Sequence, residues 1–170
     1  MRLIQILLLV VIAVCSTLSV AADIVVLAKP LPAVTGKDKP LLTLTHAGMT
    51  YRLSLAEIER LPMYQTRLTT QWGMSGTFQG VLMSDLLKAY RMTDAKRLSI
   101  SALDNYDSTL AMREFQTSQG FLATRLEGKP IPLENKGPLI LLWPSKEEDA
   151  LQGRATMTSW VWSISSIDAK

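Results

Sequence analysis

Apolar and polar residues alternate over positions 42–45 and again over 50–54, on either side of Gly48, and this period of two predicts a β-hairpin turning at residues 46–48. Ser54 and Glu57 then form a capping box, and Leu55, Ile58 and Leu61 repeat at helical spacing until Pro62, so a short helix comes next. The stretch that organises the chain is residues 66–87. It leads a strand-like run into a loop with Gly73, Gly76, Gly80 and one large aromatic, Trp72, and then into an amphipathic helix over 81–90. Leu82, Leu86, Leu87 and Tyr90 recur there at helical spacing. Loops of this kind, held by rigid elements, commonly form one wall of a ligand site.

Strand signals dominate from residue 97 onward. Residues 97–103 alternate, with Leu98, Ile100 and Ala102 on one face, and residues 104–107 make a polar turn before a return run over 108–112. Residues 121–126 are another strand, 127–130 a turn, 131–133 a short extended piece, and 139–143 a near-continuous apolar run suited to a buried strand. Residues 145–152 are polar, a short exposed helix or loop. Residues 159–167 read as a closing strand with Trp160, Trp162 and Ile164 on one face. Strand units with only short helices predict an α+β domain, a β-rich mixed sheet or barrel-like core.

The N-terminal end has a different character. Residues 1–21 read as an export signal: Arg2 supplies the positive start, residues 3–14 the apolar stretch, and residues 19–22 small side chains for cleavage. A retained anchor is the alternative, although Gln5 interrupts the apolar run, which is short for a span of about 20 residues. Lipid attachment at Cys15 is a second alternative, and Val14 before it is bulkier than such a site wants. Cleavage places the protein in the periplasm and leaves a mature chain without cysteine, hence without a disulfide framework or a thiolate ligand. Residues 22–41 contain Pro30, Pro32, Gly36 and Pro40 and predict an extended arm, and residues 42–170 form a single domain. The full chain carries 18 basic and 15 acidic side chains, formally +3, and loss of Arg2 leaves 17 against 15, or +2. So small and dispersed a charge excludes a nucleic-acid partner.

Few residues offer chemistry. His46 is the one histidine, and without convergent ligands nearby it reads as a turn residue and not as a metal ligand. Trp72 sits among glycines and polar neighbours, so it either stacks on a ligand or covers the core. Asp104 and Tyr106 stand at a strand end where binding residues often lie, and Asp104 could equally cap its own turn. Arg113 is either a ligand contact or half of a surface ion pair with Glu114. Trp143, Trp160 and Trp162 read as core. The Gly73, Gly76, Gly80 spacing is not a phosphate loop, since no GKS, GKT or GxGxxG accompanies it.

Three pieces, Thr77-Phe-Gln-Gly-Val-Leu-Met-Ser-Asp-Leu-Leu87, Ala102-Leu-Asp-Asn-Tyr106 and Gly137-Pro-Leu-Ile-Leu-Leu-Trp-Pro144, stand in an order and spacing that resemble the molybdopterin-binding domain of the sulfite oxidase family. The resemblance covers residues 42–167 and implies a mixed α+β fold round a mainly β core. It also implies a point of departure: active members hold molybdenum through a cysteine thiolate, and the corresponding region here is residues 68–72, with Thr69, Thr70 and Trp72. A threonine hydroxyl is a hard, neutral ligand and does not replace a soft thiolate. No metal ligand and no catalytic residue is therefore expected, and the pterin part of the site is expected to survive. A pterin needs an aromatic to stack on and a carboxylate to accept its paired N–H donors. The resemblance and this chemistry together point to Thr70, Trp72, Asp104, Tyr106 and Arg113 as the ligand-binding set, with a reduced pterin as the ligand in preference to molybdopterin. Metal-free exported members of the fold relay pterin state to membrane proteins that make or degrade cyclic di-GMP, which implies the periplasmic part of an inner-membrane signalling protein as partner. Two alternatives stay open, a molybdenum-cofactor-dependent oxidoreductase and an interaction scaffold without ligand.

Overall fold

In the computed structural model, residues 22–27, 31, 39–155 and 157–170 are described, so the expected export signal and most of the arm over 28–38 lie outside the described residues. The first hairpin forms as its alternation requires: β2 (Pro40–His46) pairs antiparallel with β3 (Met49–Ser54). Its turn residues Ala47 and Gly48 have φ of 48° and 79°, the doubly left-handed geometry that suits the twist of paired strands. α1 (Leu55–Ile58) comes next with the expected capping box, Ser54 N–H donating to Glu57 Oε2 at 2.8 Å and Glu57 N–H to Ser54 Oγ at 3.3 Å. These bonds from Ser54, backbone first, hold the Glu57 carboxyl below its ordinary range.

Two sheets carry the domain. The first runs β1 (Val25–Val26), β4 (Tyr64–Thr69), β5 (Ser75–Leu82), β8 (Phe121–Leu126) and β10 (Ile140–Leu142), with β9 (Lys129–Pro130) hung on β8. Part of the expected arm is thus an edge strand: β1 lies antiparallel to β4, Val25 opposite Gln65. The second runs β3, β2, β11 (Ile164–Ala169), β6 (Arg97–Ala102) and β7 (Asp107–Ala111). β11 lies parallel to β2 and antiparallel to β6, so it fills the middle of this sheet. Leu42, Leu44, Leu98, Ile100, Ile164 and Ile167 of the second sheet and Leu68, Phe78, Val81, Phe121, Leu122 and Leu141 of the first are buried in one core. The observed architecture is the α+β, β-rich one, with α2 (Met83–Ala89), α3 (Met112–Thr117) and α4 (Glu147–Leu151) as short helices.

Four local expectations are corrected. The glycine-rich stretch is a tight hairpin and not an open loop, because Gly76 and Gly80 belong to β5 and only Gly73 sits in the turn. Gly80 is required by close approach: a Cβ there would stand 2.0 Å from Leu122 O, at the place where the β5–β8 register shifts. The helix expected from residue 81 starts at Met83, since Val81 and Leu82 pair with Leu122 and Phe121 and the sheet outweighs the helical period. Residues 131–133 run into a 3-10 turn (Leu133–Asn135), and the closing strand begins only at Ile164. Before it, Val161 makes one bridge to Leu141 and Ser163 has φ of 51°, which breaks the alternation that the tryptophans suggested.

Candidate functional site

The β4–β5 turn is closed by Thr70, which is wholly buried. Its N–H donates to Met74 O at 2.7 Å, and its hydroxyl accepts from Met74 N–H at 3.0 Å and lies 3.2 Å from Met74 O. Gly73 N–H returns to Thr70 O at 2.9 Å, and Gly73 holds φ of 87° with open space where a side chain would be, so its role is conformational. Glu147, from α4, fixes the turn from the other side by accepting Thr69 N–H at 2.6 Å. Thr70 therefore shapes the turn, and the residues the turn presents are Gln71 and Trp72.

Trp72 meets Trp162 with ring centroids 5.2 Å apart at 69°, and Trp160 at 6.1 Å and 84°. Both contacts are edge-to-face, the arrangement that ring quadrupoles favour. Lys136 completes the group, with Nζ 4.2 Å from the Trp162 ring centre and 6.0 Å from that of Trp72. The backbone places this lysine: its φ is 65°, its N–H returns to Leu133 O at 3.1 Å, and its carbonyl accepts Ser163 N–H at 2.8 Å. Gly137 next to it has no room for a side chain, because a Cβ would stand 2.0 Å from Ile131 O. Lys136 forms no ion pair among the described residues.

Two of these tryptophans, and the neighbour of Trp72 in sequence, carry polar atoms without partners. The indole N–H groups of Trp72 and Trp160 and both ends of the Gln71 carboxamide are closed to solvent and unpaired. Leaving a buried polar group unpaired costs about 1–3 kcal/mol, and native structures rarely tolerate it. Four such atoms fall on three residues, two of them adjacent in sequence, and the Thr66 hydroxyl on β4 is a fifth.

The expected site residues are only partly brought together. Asp104 is exposed and accepts Tyr106 N–H at 3.2 Å, capping the β6–β7 turn. Tyr106 is 40% exposed, and its hydroxyl donates to Thr158 O at 3.4 Å, beside the segment that leads to Trp160. Leu103 N–H in the same turn donates to Ser163 O, so this turn borders the tryptophan segment. Arg113 stands exposed on α3, whose ring contact, Phe115 to Trp143, lies outside the Trp72 group. Trp143 and Trp160 are core, as expected, and Trp143 Nε1 donates to Ser159 O at 2.7 Å. Trp162, also expected in the core, is only half-buried and faces Trp72 and Lys136. Sequence reasoning passed over Gln71 and Lys136, although Gln71 adjoins Trp72 and Lys136 directly precedes the Gly-Pro piece.

Other places on the surface compete poorly. An open cleft of about 310 Å³ is lined by Asp23, Val25, Gln65, Thr66, Arg67 and Thr77 and has no ring for a flat ligand to stack on. A second, of about 240 Å³ between α2 and α3, is lined by Ser84, Leu87, Thr93, Met112, Phe115, Gln116 and Gln119 and brings one ring and no charged side chain. Among the described residues no three His, Cys, Asp or Glu side chains converge as a metal site requires. His46 is engaged elsewhere: Nδ1 lies 3.0 Å from Ala169 O and Nε2 2.8 Å from Asp94 Oδ1.

The Ala169 carbonyl raises the pKa of His46 most, Asp94 and Asp168 add to the rise, and desolvation opposes it. Because the folded value lies above the unfolded one, the stabilisation is full below about pH 6.5 and is lost as pH rises through the raised pKa. The urea midpoint should accordingly fall between about pH 6 and about pH 8 in the wild type. In His46→Gln this part of the profile should flatten, and an unchanged profile would remove the His46 contribution.

The family model for the oxidoreductase molybdopterin binding domain matches residues 38–150. Gln71, Trp72, Asp104, Tyr106, Arg113 and Lys136 lie inside that span, and Trp160 and Trp162 lie beyond it. No curated protein matches the chain.

Proposed function

The chain belongs to the oxidoreductase molybdopterin-binding domain family, and from that premise we propose that it is an exported, non-catalytic protein that binds a reduced pterin and relays the bound state to a membrane signalling protein controlling cyclic di-GMP. The observation that carries the reading is the group of Trp72, Trp160, Trp162 and Lys136 with its unpaired polar atoms. A pterin is flat and rimmed with donors and acceptors, so it supplies a face for the indoles and partners for the orphaned groups. Molybdenum finds no equivalent match. Thr70, in the region that corresponds to the family's thiolate, has its hydroxyl engaged by Met74, and Cys15, the one cysteine of the sequence, lies far upstream. The residues present thus fit the ring and do not fit a thiolate-bound metal.

The rim supports the relay half of the proposal. Leu103 and Leu133 are 54% and 60% exposed, and backbone hydrogen bonds join them through Ser163 and Lys136 to the Trp162 segment. Exposed leucines beside a ligand site suit contact with a partner protein. Titrating tetrahydrobiopterin into the purified protein should quench tryptophan fluorescence and saturate at one ligand per chain. Neither quenching nor binding heat in calorimetry would sink the proposal.

A further inference from the structure

We infer that the Gln71 carboxamide reads the pyrimidine edge of the ligand, so that the site selects rings carrying an N–H beside a carbonyl. This rests on the pterin-binding reading and assigns the edge-recognition role to a residue on the β4–β5 turn. A carboxylate was the expected group for that edge, but Asp104 is exposed and accepts from Tyr106 N–H within its own turn. Gln71 differs in both respects: its Nε2 and Oε1 are closed to solvent, and neither has a partner.

A carboxamide offers one donor and one acceptor side by side. The edge of a pterin offers the complementary pair, a ring N–H next to the 4-oxo group, so two parallel hydrogen bonds form at once, as when glutamine reads the edge of adenine. The amide comes from a turn whose backbone is held by Thr70, Gly73 and Glu147, so its position is set before the ligand arrives. Trp160, 1% exposed and with its own N–H unpaired, has its ring 6.1 Å from that of Trp72. Unpaired amide atoms destabilise the free protein, so this site gains function at the expense of stability.

That trade gives the test. Gln71→Leu keeps the volume and removes both polar ends. Its melting midpoint without ligand should equal or exceed that of the wild type, while its affinity for tetrahydrobiopterin should fall about tenfold or more. Gln71→Glu keeps an acceptor for the ring N–H and loses the donor to the 4-oxo group, so it should bind more weakly than the wild type. Affinity of Gln71→Leu within about threefold of the wild type would overturn the inference and leave the pterin reading intact. A lowered midpoint of the free Gln71→Leu protein would also overturn it, assigning the amide to packing of the turn. Failure of the wild type itself to bind any pterin would overturn both.

Discussion

Arg125→Met should lower the unfolding free energy by about 3–5 kcal/mol, a drop in melting temperature on the order of 10 °C for a domain of this size. The side chain is 3% exposed and meets Glu59, 12% exposed, in a two-pronged pair: Nε to Oε1 at 2.8 Å and Nη2 to Oε2 at 2.7 Å. Nη1 donates to Gly128 O at 3.1 Å, and the Thr124 hydroxyl donates to Glu59 Oε1 at 2.8 Å. Removing the guanidinium leaves a buried carboxylate with one hydroxyl partner. Most of that loss is the cost of a stranded charge and not the net worth of the pair, so Glu59→Leu with Arg125→Met should recover most of the stability. Urea unfolding of the two variants at neutral pH separates the cases. A single variant as stable as the wild type would mean that the pair contributes nothing.

Trp72→Ala should weaken pterin binding by about 10- to 100-fold, the range that loss of one aromatic stacking platform produces. The effect is expected to be large because Trp72 is the member that meets both other indoles of the cluster, and Lys136 lies over it as well. Trp72→Phe keeps a face for stacking and removes an unpaired N–H. It should therefore bind far better than Trp72→Ala and fold at least as stably as the wild type. Calorimetric titration of both variants checks this, with circular dichroism confirming that the sheets persist. If Trp72→Ala binds as the wild type does, the ligand lies elsewhere.

Much of the fold was legible because its signals are local. The Ala47-Gly48 turn, the Ser54 and Glu57 capping box and the alternation of residues 97–102 each depend on neighbours within a few positions, and each appears where the period places it. The buried pair of Glu59 and Arg125 was not legible, since its partners are 66 positions apart and nothing near Arg125 marks it as buried. Trp162 was assigned to the core from an alternation that assumed one straight strand. The positive φ at Ser163 broke that strand and turned Trp162 toward Lys136. Gln71 carried no signal beyond its place next to Trp72, because an unpaired amide becomes visible only when its surroundings are known.

The position of β11 bears on when this domain can fold. Its six residues lie between β2 and β6, and Lys170 accepts N–H donors from Lys96 and Arg97 through its carbonyl. Until those residues have left the ribosome, the hairpin β2–β3 and the hairpin β6–β7 have no strand to join them. The nascent chain is thus held back from its native sheet until β11 has been made, more than a hundred residues after β2, and its apolar strand faces stay uncovered for that time.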